Sequence, residues 1–222
     1  MKMMKKQLLF LILGLLGFSV STFAGDPLQG RRVGVIGDSY VRNHRNPVEY
    51  TWHYKFAQKH GMQYFNYGRN GNCVSIDLKT WGPAMYKRYA DMADSLDYVI
   101  IIAGHNDASR LDSIGLDNYA DKADRLLKGL KEKYPQARLF WFTCWDNENP
   151  NFGRVIKATK KVCRKNGVAC FDASRQKVVR ALDDEFRDKY FQGRRRDHAH
   201  LNNAGHDLFL PVAERFLLKH MR

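Results

Sequence analysis

The sequence predicts an α/β fold, a parallel sheet of about five strands wrapped on both faces by helices. Three observations carry this. Short apolar runs alternate with stretches of helical spacing along the chain. The most apolar run, Tyr98 to Ala103 (YVIIIA), has no polar position, as expected of a parallel strand covered on both faces. Beyond residue 24 the chain keeps enough length for one sizeable core, with no repeat, low-complexity linker or Pro/Gly-rich hinge.

In chain order, Arg32 to Gly37 is a strand carrying Val33, Val35 and Ile36. Pro47 to His60 shows helical spacing of Tyr50, Tyr54 and Phe56 and is closed by Gly61. Met62 to Tyr67 is the second strand, Pro83 to Leu96 reads as a helix, and Tyr98 to Ala103 is the third strand. Asn118 to Tyr134 is a helix with Ala123, Leu126, Leu127 and Leu130 on one face, stopped by Pro135. Arg138 to Cys144 is the fourth strand, Phe152 to Lys165 a helix and Val168 to Phe171 a short fifth strand. Helical pattern resumes from Arg175 to Tyr190, and a last helix runs from Asn203 to His220, where Pro211 marks a kink or a break.

The first 24 residues read as a secretory signal peptide. Lys2, Lys5 and Lys6 precede an apolar run from Leu8 to Phe18, and Thr22-Phe23-Ala24 offers a small-residue cleavage site. That run is too short for a comfortable span of about 20 residues. A secreted or periplasmic protein follows, comprising residues 25–222, with no stable membrane association after cleavage. The formal charge of +14 falls to +11 without the three leader lysines. It gathers in Arg194-Arg195-Arg196 and in Lys157, Lys160, Lys161, Arg164 and Lys165. Neither patch is a recognisable nucleic-acid module, so a solvated basic face is the simpler reading and no nucleic-acid partner is expected. Of the four cysteines, Cys163 and Cys170 are the pair nearest in sequence for a bridge that export would permit. No cofactor is implied.

Sites in parallel sheets lie at the carboxyl ends of strands. Ser39, Gly71, Asn106 and the residues after Cys144 all follow strand ends, which gathers them along one edge. Ser39, in VIGDSY, could be only a helix cap. As a nucleophile it needs a base, and the base an orienting acid. Asp197 and His200, in RDHAHLN, are three apart, close enough for carboxylate and imidazole to meet within one turn. His198 is the rival base, but adjacency to Asp197 points the two side chains apart. A metal site using Asp197, His198, His200 and His206 is the alternative reading of this cluster. Donors for an oxyanion are available at the Ser39 N–H, the Gly71 N–H in NYGRNGNC and the Asn106 amide in AGHND. Asp38 suits a supporting role, accepting backbone hydrogen bonds at the turn. No G-x-S-x-G elbow or G-x-G-x-x-G loop is present.

Taken together, GDSY, NYGRNGN, GHND and DHAHLN resemble the four blocks of the SGNH/GDSL hydrolase family in identity, order and spacing. The resemblance spans nearly all of residues 25–222. It implies a three-layer α/β/α sandwich of flavodoxin-like topology and a metal-free esterase. Ser39, Asp197 and His200 would be its triad, and Ser39, Gly71 and Asn106 its oxyanion hole. Tyr40 stands where members often have Leu, and His105 where a small polar residue is common, so His105 lines the site or crowds it. Trp81, Trp141 and Trp145 are candidates to stack on sugar rings, with Trp141 the one best suited to the core. Export and the absence of a long apolar lid favour short acyl groups, acetyl above all, on a polysaccharide. A lysophospholipase or thioesterase would share the same site, as would an inactive glycan-binding relative.

Overall fold

A computed structural model describes residues 25–221; the proposed signal peptide lies outside them. Five parallel strands, β1 (Arg32–Gly37), β2 (Gln63–Gly68), β3 (Tyr98–Ile102), β4 (Arg138–Phe142) and β5 (Ala169–Phe171), form one sheet in the order β2-β1-β3-β4-β5. Register runs Val33 to Tyr64 and to Tyr98, and Ile101 to Trp141. β3 is buried at every position, and Trp141 is fully enclosed in β4.

The chain reverses direction across the sheet only once, between β1 and β3. Right-handed crossovers therefore put the first connecting helix on one face and the later ones on the other. After α1 (Ser39–Arg42), α2 (Trp52–Lys59) makes the first crossover. Next come α3 (Met85–Arg88), α4 (His105–Ala108), α5 (Leu111–Ile114), α6 (Leu116–Lys133) and α7 (Phe152–Lys165). Two helices close the chain, α8 (Asp184–Tyr190) and α9 (Asn203–Met221). α2 packs on α9, while α6 packs on α3 and α7. The result is the three-layer, flavodoxin-like arrangement.

Three elements differ from the sequence expectation. In place of one helix from Pro83 to Leu96 there is α3, a single 3-10 turn at Tyr89–Asp91, and then irregular, bending chain from Met92 to Asp97. Met92 and Leu96 reach under β1, where a Cβ at Gly34 would stand 2.5 Å from Leu96. Packing, not helical phase, sets the spacing of those apolar residues. The helix expected from Arg175 begins only at Asp184, because the Asp183 carboxylate caps it by accepting from the Phe186 N–H at 3.0 Å. Pro211 sits within an unbroken α9. It and Asp207, whose carbonyl loses its partner, both face solvent, so water can replace the missing bond. Cys163 and Cys170 meet as free thiols, and their mutual hydrogen bond, with burial, pushes the Cys163 thiol up.

Candidate active site

β1 and β3 end side by side, and the turns leaving them carry Ser39 and Asn106. Asp38 caps α1 by accepting from the Tyr40 N–H at 2.9 Å, which turns the Ser39 side chain toward the loop before α9. There His200 Nε2 lies 2.8 Å from Ser39 Oγ, and His200 Nδ1 lies 3.0 and 3.1 Å from the two oxygens of Asp197. A carboxylate on Nδ1 assigns the ring proton to that nitrogen and leaves Nε2 free to accept the serine proton. Asp197 Oδ1 also accepts the Ala199 and His200 N–H groups, each at 2.8 Å. Burial pulls the Asp197 carboxyl up, but the imidazole and these N–H groups outweigh it and hold the group down at about 2.

The structure separates the two rival histidines. Among the described residues the His198 ring makes no hydrogen bond or ion pair with Asp197; its Nδ1 is buried without a partner there, and its carbonyl accepts from Trp145 Nε1 at 3.2 Å. His206 is enclosed, accepting from the Trp52 N–H at 3.3 Å and donating to Asn43 Oδ1 at 3.2 Å. It is thus turned into the fold, with both ring nitrogens engaged by groups other than Asp197. Among the described residues no three His, Cys, Asp or Glu side chains gather as metal ligands.

The three oxyanion candidates are tied to one another. Asn106 Nδ2 donates to Asp38 Oδ2 and to the Asn72 carbonyl, each at 3.1 Å, so it joins the residue before Ser39 to the residue after Gly71. Among the described residues, the N–H groups of Ser39 and Gly71 have no protein acceptor. Gly71 has φ +69, and a Cβ there would stand 2.6 Å from the Trp81 ring. Only glycine fits beneath that indole. Burial raises the Asp38 carboxyl to about 7.

Some of this support comes from residues outside the motifs, Arg88 and His44, and some from Asp107, the last residue of GHND. Arg88, buried on α3, donates to the carbonyls of Gly37 and Tyr67 at 2.6 Å and to Asn72 Oδ1 at 2.7 Å. It locks the ends of β1 and β2 to the Gly71 loop. His44 stacks on the His200 ring, centroids 4.2 Å apart and planes 13° apart. Burial and the nearby charge of His200 push the His44 pKa down. Asp107 is fully buried and accepts from the Val74 and Ser75 N–H groups at 2.9 and 3.0 Å and from Ser75 Oγ at 2.5 Å. Asp107→Ala would strand three buried donors and should cost about 3 kcal/mol or more of stability by urea unfolding; a loss below about 1 kcal/mol would refute the role.

His105 is half-buried with Nδ1 3.2 Å from the Tyr40 hydroxyl and its ring edge-on to Phe152, so it forms wall and does not block Ser39. Trp145 corrects its expected role. It is only 4% exposed, packs on Tyr40 at 4.6 Å and supports that wall from behind. Trp81 is 39% exposed and is the tryptophan presented to solvent at the site.

Residues 35–208 match the model of the GDSL-like lipase/acylhydrolase family. The chain belongs to this family. It is therefore a hydrolase by family, and the solved structures share its fold at low identity. A protein from Lactobacillus plantarum is 19% identical with a TM-score of 0.74, covering 86% of this chain and 98% of that one. A structure described as a GDSL-like lipase from Bacteroides uniformis is 20% identical with a TM-score of 0.62, covering 86% and 97%. A family two carbohydrate esterase from Clostridium thermocellum is 12% identical with a TM-score of 0.66, covering 87% of this chain and 64% of that one. Among curated proteins none matches.

Proposed function

We propose that this GDSL-family hydrolase is a serine esterase that removes short acyl groups, acetyl first among them, from a carbohydrate. The observation that carries the reading is the unbroken chain Ser39 Oγ–His200–Asp197 at 2.8 and 3.0 Å. In the mechanism it supports, His200 Nε2 takes the proton of Ser39 as Oγ attacks the ester carbonyl. The oxygen that gains charge is met by the unengaged N–H groups of Ser39 and Gly71 and by the Asn106 amide. His200 then protonates the leaving alkoxide. Water, activated by the same ring, attacks the acyl-enzyme and releases the acid.

The carbohydrate part of the reading draws on Trp81, an exposed indole seated over Gly71 at the rim of the oxyanion-hole candidates. A sugar ring can stack on such a face. Carbohydrate esterases among the structural neighbours agree with it. Comparison of 4-nitrophenyl acetate with the octanoate, alongside acetylated oligosaccharides, tests the proposal. Cleavage confined to acetate is expected, with Trp81→Ala raising KM on oligosaccharides more than on 4-nitrophenyl acetate. Preference for octanoate, with no turnover of acetylated glycans, would replace it with a lysophospholipase or thioesterase. The proposed export places the enzyme outside the cytoplasm, where acetylated polysaccharide is met.

A further inference from the structure

A cleft of about 430 Å³ opens directly against His200. One wall is His44 and Arg45, from the turn after α1; the other is Gln192 and Arg196, from the loop before the catalytic pair. Gln192 Nε2 donates to Asn43 Oδ1 at 2.9 Å and to the Asn43 carbonyl at 3.2 Å, so the two walls are joined and their separation is preset. His44 and Arg194 hold left-handed backbone, φ 50 and 52, a conformation non-glycine residues keep only where the surroundings enforce it.

The charge of this cleft is uncompensated. Arg45 and Arg196 are exposed, and among the described residues neither has a carboxylate within 4.0 Å. Arg195, next to Arg196 in sequence, differs, being paired with Asp188 at 2.7 Å. The one carboxylate lining the cleft, Asp197, is committed to His200 and two backbone N–H groups.

Position says which part of the substrate meets these arginines. In the esterase reading, the acyl oxygen turns to the Gly71 and Asn106 donors, while the alkoxy oxygen must face His200 to be protonated. The alcohol half of the ester therefore enters the cleft that His200 lines. We propose that this half is anionic: an O-acylated acidic saccharide whose uronate carboxylate is gripped by Arg45 and Arg196. A guanidinium suits that task because its planar fork meets both oxygens of a carboxylate. This inference rests on the esterase reading for its orientation, and on the two arginines for its charge.

The test compares O-acetylated trigalacturonate with O-acetylated xylotriose for the wild type and for Arg45→Gln/Arg196→Gln. At about 0.01 M salt the wild type should favour the acidic trisaccharide by about tenfold or more in kcat/KM, mostly through KM. The preference should shrink at about 0.15 M, where the screening length falls from about 30 to about 8 Å. In the double variant the acidic-to-neutral ratio should fall by about tenfold or more. Equal use of the two trisaccharides by the wild type, or a ratio that survives in the variant, overturns the proposal even if 4-nitrophenyl acetate is cleaved. So does preference for lysophosphatidylglycerol over both sugars, which would assign the charge to a lipid. Calorimetry of trigalacturonate with Ser39→Ala reads the cleft without turnover, and absence of binding there would also overturn it. Loss of all serine-dependent cleavage with binding intact and arginine-dependent would instead remove the esterase and keep the anion site.

Discussion

Ser39→Ala should lower kcat on 4-nitrophenyl acetate by about 10⁴- to 10⁶-fold while leaving the thermal midpoint nearly unchanged. Among the described residues the hydroxyl has one protein partner, His200 Nε2, so its removal deletes the nucleophile and little packing. His200→Ala should cost about as much, and the double variant scarcely more than either single one. Groups that act as one unit are not additive, since whatever remains comes from the oxyanion donors and binding. His198→Ala is the control. Its ring makes no hydrogen bond to Asp197 among the described residues, so its effect should be small beside that of His200→Ala. Steady-state rates with thermal melts on the wild type and these four variants decide the matter. Retained turnover in Ser39→Ala would remove the covalent mechanism, and a larger loss from His198→Ala than from His200→Ala would exchange the two histidines.

What the sequence made legible were the residues whose role depends on local chain geometry. Ser39, Gly71 and Asn106 each follow a strand end within a few residues, and a parallel sheet brings such ends to one edge. Asp197 and His200 are three apart, so their meeting needs only a short loop. The residues missed depend on contacts between distant segments. Arg88 looks in sequence like a solvated helix charge, yet it is 8% exposed and joins β1, β2 and the Gly71 loop. His44 reaches His200 across 156 positions only because Asn43 and His44 turn the chain through left-handed backbone. The expected helix from Pro83 to Leu96 failed for a related reason. Met85, Met92 and Leu96 fall at nearly helical intervals, but Arg88 is drawn inward and the apolar residues after it pack from a 3-10 turn and irregular, bending chain. Periodicity records which residues are buried, and burial alone does not fix the backbone that delivers them.

Asn106→Ala should lower kcat by about 10²- to 10³-fold with a smaller change in KM, the signature of a donor that acts on the transition state. The structure adds a condition to that expectation. Both amide hydrogens of Asn106 are engaged within the protein, one by Asp38 and one by the Asn72 carbonyl. To serve an oxyanion, the amide must share a hydrogen with the substrate while its partners hold it in place. A neutral ester carbonyl competes weakly for that hydrogen, and the negative oxygen of the tetrahedral intermediate competes strongly. The same arrangement that makes Asn106 a poor donor to the ground state lets its stabilisation appear as charge develops. Substitution by Ala also unpairs a buried Asp38 oxygen, so stability must be measured in parallel and the rate compared below the lower thermal midpoint. A kcat within about threefold of wild type would take Asn106 out of the hole and leave it as a tie between the first two blocks. A loss carried entirely by KM would assign it to substrate binding instead.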